Sequence, residues 1–384
     1  MIQSKLPNTA PSIFSSMRGL IEETGAVDMA IGETDFPCPG ELIQAAMKYL
    51  KSDYNNYAPI EGVYKLREEI AAFINKKHGH QYDPKTEIAI TAGYIQGIHS
   101  AISAVVKDED EVIVFEPVFE SFVPSVVLNG GKPVYVQMKS PGFKIDWEEF
   151  RKMITSKTKM IIINSPHNPT GSVFSENDLI QLQRLTNGTN IIILSVETYE
   201  SIIFDNIVHQ SVARFEKLAE RSLIISSFGP AFNINGWGVG YCLGPEKLMA
   251  EFRKMLQFQI YNVNTPLQYA LADYLPSGYL FDDVSELYQG KRNYFNRLMD
   301  GSLYNVIPAQ GGYFELLDYS KVSDEPDLVF AERLARDFGV AVLPVSVFFH
   351  EKVKSRYVRV CFAKRNDKLE QAAERLLKVP SIIE

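Results

Sequence analysis

What most limits the folds open to this chain is a repeated alternation of short, almost continuously apolar runs with amphipathic helical stretches. The runs are "TEIAITAG", "DEVIVFEP", "KPVYVQM", "KMIIINSP", "NIIILSVE", "SLIISSFG" and "WGVGYCLG", seven strand candidates up to about residue 243. Helical segments such as "YIQGIHSAISAVV" and "DWEEFRKMIT" separate most of them. A strand that is apolar on both faces needs cover on both, which a mostly parallel sheet between two helical layers supplies. Ahead of the strands, "GELIQAAMKYLKS" and "GVYKLREEIAAFINKKHG" read as helices, the second with Val63, Leu66, Ile70, Phe73 and Ile74 at helical spacing. In "SENDLIQLQRL", Ser175 is an N-cap candidate with Asp178 at the third position. The pair Gly229-Pro230 reads as a turn after a strand over Ser222 to Ser227. After "EKLMAEFRKMLQF" the alternation gives way to a long helical stretch and then shorter mixed elements. The expected organisation is an irregular arm and joining segment (1–36), a large α/β domain (37–277) and a smaller α+β domain (278–384).

Composition excludes several classes of function. With 46% hydrophobic and 22% charged residues, 384 residues can bury a substantial core. A net charge of -8 argues against a nucleic-acid or anionic-membrane surface and favours a cytosol-type protein. The runs "MIII" and "NIIIL" are far too short to cross a bilayer, and "MIQSKLPNTAPSIF" does not read as a signal peptide. Cys38, Cys242 and Cys361 are widely separated, so buried free thiols are expected rather than a disulfide or metal framework. "KKHGH" (Lys76 to His80) reads as a solvated helix end, and no metal site is expected.

In a parallel sheet, ligands sit beyond the carboxyl ends of the strands, so the loops there carry the chemistry. "NSPHNPTG" (Asn164 to Gly171) is one such loop, a rigid turn with two prolines, two asparagines and a glycine. Together with "NNYAPIEGVYKLREEIA", "EPVFESF", "QGGYFELLDYS" and "RYVRVCFAK", it resembles the class I/II aminotransferases of fold type I, which use pyridoxal phosphate. The similarity is nearest to the methionine and kynurenine branch and runs from "AIGETDFPCPG" to "AAERLLKV".

The resemblance implies roles for residues that are present. Asn168 and Tyr199 match the groups that hydrogen-bond the cofactor's phenolic oxygen, and Phe119 the aromatic stacked on its ring. The backbone N–H groups of Tyr94 and Ile95, with Ser227, match the phosphate cradle. Tyr57 matches a tyrosine that reaches the phosphate from a neighbouring subunit, which implies a homodimer. Arg359 matches the arginine that grips the substrate carboxylate, and Gly32 lies at the substrate entrance. Without the resemblance, the aromatics would be ordinary core or interface residues, Asn168 a turn residue and Arg359 half of a structural ion pair.

Three positions depart from the family. Where relatives read "SSFGK" and then "GWK", this chain has "SSFGPAFNINGWGVGYC". Pro230 occupies the place of the Schiff-base lysine, and Gly238 that of a lysine on the phosphate. Val196, in "LSVETYE", stands where the family carries the aspartate that keeps the pyridine nitrogen protonated. No lysine lies between Lys217 and Lys247. Lys364 and His167 are the weak candidates for a substitute base, and His167 is expected to face solvent. The expected function is therefore a catalytically degenerate aminotransferase-family protein that keeps a carboxylate cleft for an amino acid, a keto acid or a cofactor adduct. Pyridoxal phosphate would be weakly and non-covalently held or absent. The alternative is a working pyridoxal-phosphate aminotransferase for methionine-like or aromatic amino acids with a 2-oxo acid acceptor.

Overall fold

All seven expected strands form one sheet in the computed structural model, which describes residues 3–7, 9–277 and 281–381. They are β1 (Ile88–Thr91), β2 (Glu111–Glu116), β3 (Lys132–Gln137), β4 (Thr158–Asn164), β5 (Ile192–Val196), β6 (Ser222–Ser227) and β7 (Gly240–Leu243). The order across the sheet is β1-β7-β6-β5-β4-β2-β3. β7 runs antiparallel to β1 and β6, and the other pairs are parallel.

The apolar runs follow from the layering. Ile113, Ile161, Ile163, Ile193 and Ile224 face one helical layer. Their chain neighbours Val112, Val114, Met160, Ile162, Leu194, Leu223 and Ile225 face the other. Alternate side chains of a strand point to opposite faces, so two apolar layers require an apolar residue at every position. Only β3, at the edge, is largely half-exposed, and it begins with the exposed Lys132. At Ser175 and Asp178 the expected N-cap is a full capping box: Ser175 Oγ accepts from the Asp178 N–H at 3.2 Å, and Asp178 Oδ2 from the Ser175 N–H at 2.8 Å.

A second, antiparallel sheet holds β8 (Asn305–Ile307), β9 (Phe314–Asp318), β10 (Leu343–Pro344) and β11 (Tyr357–Cys361) in the order β10-β11-β9-β8. Leu316 of β9 and Leu343 of β10 both pair with Arg359, which places that residue in the middle of a central strand.

Four local expectations are corrected. The arm is not irregular: it carries a helix, α1 (Ile13–Thr24), ended by Gly25 in the left-handed region. Met17, Leu20 and Ile21 of α1 pack against Ala341, Leu343 and Phe348, a long-range surface that local reading cannot see. The Gly229-Pro230 "turn" is the first half of a one-turn helix, Gly229–Phe232. Proline is tolerated in a first turn because its missing N–H would have no partner there. Cys38 is half-buried, whereas Cys242 and Cys361 are buried. The "KKHGH" helix end is not wholly solvated, since His78 is buried with its Nε2 2.9 Å from Glu200 Oε2. Among the described residues no helix is long and apolar enough to cross a membrane.

Candidate active site

Beyond the carboxyl ends of β1, β4, β5 and β6 lies a cleft of about 350 Å³. It brings together Gly32, Tyr94, Ile95, Phe119 and Asn168 with Tyr199, Ser227, Pro230, Gly238 and Arg359. Tyr57, Val196, His167 and Lys364, all singled out in the sequence, do not line it. Val196 is buried at the end of β5, in the layer beneath the cleft. Tyr57 is 76% exposed, its ring edge-on to Tyr261 at 4.9 Å.

One end of the cleft is built around Arg359. Its guanidinium is completely buried, yet its hydrogen bonds go to neutral oxygens: Nη1 donates to Asn168 Oδ1 at 2.7 Å, and Nη2 to the Ala30 carbonyl at 2.5 Å. Nε has no partner. The guanidinium carbon lies 3.9 Å from the ring centre of Phe314 and 5.4 Å from that of Phe14. Burial pulls its pKa down to about 10, which still leaves it charged near neutral pH. Arg359 is thus a buried cation with spare donor capacity and no carboxylate partner among the described residues, a state that has the chemistry to take an anion. The sharp packing here also requires Gly32, since a Cβ on it would come within 2.7 Å of Phe314 Cζ.

The opposite end is the start of helix α2 (Gly93–Val105), directly after β1. Gly93 has a φ of 72°, and a Cβ on Gly240 would come within 2.7 Å of the Ser226 carbonyl oxygen and 3.0 Å of the Gly93 carbonyl carbon, so Gly240 lets three backbone segments converge. Two polar groups there are bonded within the chain, while the first-turn N–H groups of Tyr94 and Ile95 have no intrahelical acceptor. The Ala92 N–H donates to Gln96 Oε1 at 3.0 Å. Ser227 Oγ donates to the Val239 carbonyl at 3.3 Å and accepts from the Gly229 N–H at the same distance.

Between the two ends the walls are aromatic. Phe119 packs against Tyr94 at 6.0 Å and Phe14 at 6.4 Å, and Tyr199 stands edge-on to Tyr313 at 5.1 Å. Burial raises the phenol of Tyr94 to about 12, and those of Tyr199 and Tyr313 further. These hydroxyls stay protonated and can donate hydrogen bonds, but none is a base near neutral pH. Among the described residues neither lysine nor histidine lines the cleft. His167 is buried rather than solvent-facing, with Nδ1 2.8 Å from Thr170 Oγ1, and burial pulls it down to about 3. Lys364 is also buried and turned to Asp28, 3.5 Å away. Burial works to lower its pKa, but the surrounding charges, Asp28 and Asp35 among them, outweigh it and raise it.

Several lining residues were not assigned a role in the sequence. Tyr313 and Phe314 sit in the motif "QGGYFELLDYS", which carried that signal unread. Phe14 comes from α1, and Glu120 is held by Ser12, whose Oγ donates to its two carboxylate oxygens at 2.8 and 3.0 Å. A separate buried cluster lies behind the cleft. His78, Glu197 and Glu200 bring possible ligand atoms within 4.8 Å of one another. Their oxygens are already used: Glu200 accepts from Tyr241 and faces Lys77, and Glu197 accepts from Ser195 and the Val212 N–H and lies 2.9 Å from His209. The carboxylate oxygens of the cluster are occupied, whereas His78 Nδ1 and His209 Nδ1 are buried without a partner.

Pyridoxal phosphate, which the resemblance implies, can be set against these side chains. The aromatic wall, Asn168 and Tyr199 suit its ring. The rest does not: Pro230 offers no amine, Val196 no carboxylate, and the described phosphate end no cation. The residues present do not fit a covalently held, ring-protonated coenzyme.

Residues 24–376 match the family described as aminotransferase class I and II. A methionine aminotransferase of Escherichia coli is 38% identical over 377 residues, covering 97% of each chain. An aromatic-amino-acid aminotransferase of Thermococcus litoralis is 33% identical, covering 97% of this chain and 95% of its own. Among solved structures, N-succinyldiaminopimelate aminotransferase of Mycobacterium tuberculosis superposes with a TM-score of 0.95 at 32% identity, over 99% of this chain and 100% of its own. By sequence over nearly its whole length and by a fold type I architecture, this chain belongs to the class I and II aminotransferases.

Proposed function

We propose that the cleft binds the α-carboxylate of an amino acid, its 2-oxo acid or a preformed cofactor adduct on Arg359 and Asn168, and that turnover is weak or absent. The observation that carries this reading is the fully buried guanidinium with an unpartnered Nε and only neutral oxygens as neighbours. The aromatic walls, and the names of the methionine and aromatic relatives, favour a large apolar or sulfur-containing side chain. Pyridoxal phosphate would be held weakly and without a covalent bond. Exposed Tyr57, Phe258 and Tyr261 support pairing with a second copy of the chain.

A second reading is a working pyridoxal-phosphate aminotransferase for methionine-like or aromatic amino acids with a 2-oxo acid acceptor. The comparisons favour it over degeneracy, since a named methionine aminotransferase aligns end to end at 38% identity. Against it stands the lining of the cleft, which has no lysine or histidine. A positioned acid–base group contributes about 10²–10⁴ in rate, and covalent capture is a further loss.

The experiment that separates the two is a visible absorption spectrum of the purified protein with added pyridoxal phosphate and then methionine, alongside a transamination assay. The first reading expects no borohydride-reducible band from protein and cofactor, and turnover at or near the uncatalysed level. A reducible band, or turnover typical of an aminotransferase, would overturn it in favour of the second.

A further inference from the structure

We propose that Lys77 and His78, neither of which lines the cleft, are positioning residues for it: by gripping Glu200 from behind, they set where the turn at residues 197–201 presents Tyr199. This rests on the reading of the cleft as a ligand site. It goes beyond that reading by tying one wall of the cleft to a polar cluster outside it.

Tyr199 is flanked in the chain by two buried carboxylates, Glu197 and Glu200. Glu197 accepts from Ser195 Oγ at 2.7 Å and from the Val212 N–H at 3.2 Å, and its second oxygen lies 2.9 Å from His209 Nε2. Glu200 accepts from the Tyr241 hydroxyl at 3.0 Å. Its other oxygen lies 2.9 Å from His78 Nε2 and 3.4 Å from Lys77 Nζ. Lys77 also donates to the Glu200 carbonyl and to Ser201 Oγ, both at 3.1 Å. Two adjacent residues at the end of one helix, Tyr64–His78, thus hold both the backbone and the side chain of the residue after Tyr199. Burial works against the charge of Glu200, but Lys77 and His78 outweigh it and keep its pKa below the usual carboxylate range. An ionised carboxylate can only accept, so it is His78 Nε2 that carries the proton between them.

The turn has open space on two sides. In front of it is the cleft, and behind it a crevice of about 460 Å³ lined in part by Lys77, Glu200, Ser201 and His209. Its own backbone bonds run from the Glu200 N–H to the Glu197 carbonyl at 3.0 Å and from the Ile202 N–H to the Tyr199 carbonyl at 2.8 Å. These fix its shape, and the side-chain anchors fix its place. The ring of Tyr199, edge-on to Tyr313 at 5.1 Å and to Phe314 at 6.0 Å, moves with it. A buried carboxylate that loses a donor seeks water. For Glu200 that water is in the crevice, so the turn would be drawn back from the cleft.

The test puts a fluorinated tyrosine in place of Tyr199 in the full-length protein and reads its fluorine resonance, with calorimetric titration of L-methionine alongside. His78→Leu removes the donor to Glu200, whereas His78→Gln keeps an N–H donor on a chain of similar reach. The expected result is a resonance shifted or split in His78→Leu and restored in His78→Gln. L-methionine should bind roughly tenfold more weakly to the first, the scale of one hydrogen bond, and within about twofold of the parent to the second. If His78→Leu does not fold, Lys77→Met carries the same comparison. A resonance that stays in place, or one that His78→Gln moves as far as His78→Leu, overturns the inference whatever happens to Tm, and leaves the pair a structural contact. A parent chain that binds neither L-methionine nor its 2-oxo acid sinks the carboxylate reading, while the fluorine comparison still decides the positioning.

Discussion

The two ends of the cleft differ in build and in finish: one centres on a residue of a central strand, the other on a strand-to-helix turn. At the Arg359 end, a charge is buried with donor capacity to spare, and only a ligand can complete it. At the α2 end, Ala92 and Ser227 have completed their hydrogen bonds within the chain, and Pro230 and Gly238 leave no charge to complete. An orphaned buried cation is costly, so a site that keeps one holds it against the interest of stability. The contrast teaches that the two ends leave different groups open: a buried guanidinium at one, and at the other backbone N–H groups with no side-chain cation among the described lining residues.

The most forceful way to break the contrast is to rebuild the coenzyme end. Pro230→Lys with Val196→Asp should raise the rate of amino-group transfer by about 10²–10⁴ over the parent chain, read in a coupled assay with methionine. If nothing is gained, the change at that end extends beyond these positions. Removing the other end is next in size. Arg359→Met should abolish detectable binding of an apolar amino acid by calorimetry while leaving Tm unchanged or higher, because an unneutralised buried charge is exchanged for an apolar chain. A fall in Tm together with the lost binding would instead make Arg359 a structural residue.

Gly238→Lys should strengthen pyridoxal phosphate binding by roughly 10- to 100-fold through one charge-assisted hydrogen bond. A Cβ there meets nothing within 4 Å, but the φ of 60° makes a side chain cost about 1–2 kcal/mol of stability. Equilibrium dialysis and a thermal melt read the two effects separately.

The smallest effect concerns what supports the Arg359 end. Glu315 of β9 is fully buried beside the Tyr313-Phe314 wall, and burial pushes its pKa from 4.5 up to about 8. The folded chain therefore holds a proton that the unfolded chain releases, so stability falls as pH rises from 4.5 through about 8. Glu315→Gln should flatten that slope in a Tm-against-pH series. His167 acts in the other direction: its pKa falls from 6.5 to about 3, so its contribution is lost as pH drops through that interval. An unchanged alkaline slope in Glu315→Gln would assign it to other groups.

The seven strands of the large sheet were legible because a run such as "MIII" carries its own instruction: two covered faces demand apolar residues without a break. The capping box at Ser175 and Asp178 is equally local. The meeting of Asn168, Tyr199, Ser227, Pro230 and Gly238 at one cleft could be anticipated too, since each lies at the end of a strand of the large sheet or in the loop beyond it. Helix α1 was not legible, because its apolar stripe gains meaning only against Ala341 and Leu343, more than three hundred residues away. His78 and His167 read as surface residues for the same reason, as their local sequences are polar and their burial comes from packing by distant elements.

The sequence by itself determined the layered α/β architecture and the family. The tertiary structure alone decided what state the polar groups of the cleft are in. Arg359 meets Asn168 across 191 residues and Ala30 across 329, and only that meeting leaves its Nε bare. Ser227 could have faced a ligand, and the return of the chain at Val239 turns its hydroxyl inward. Apolar patterning is written residue by residue, whereas the satisfaction of a buried polar group depends on which partners the whole fold brings within hydrogen-bond reach.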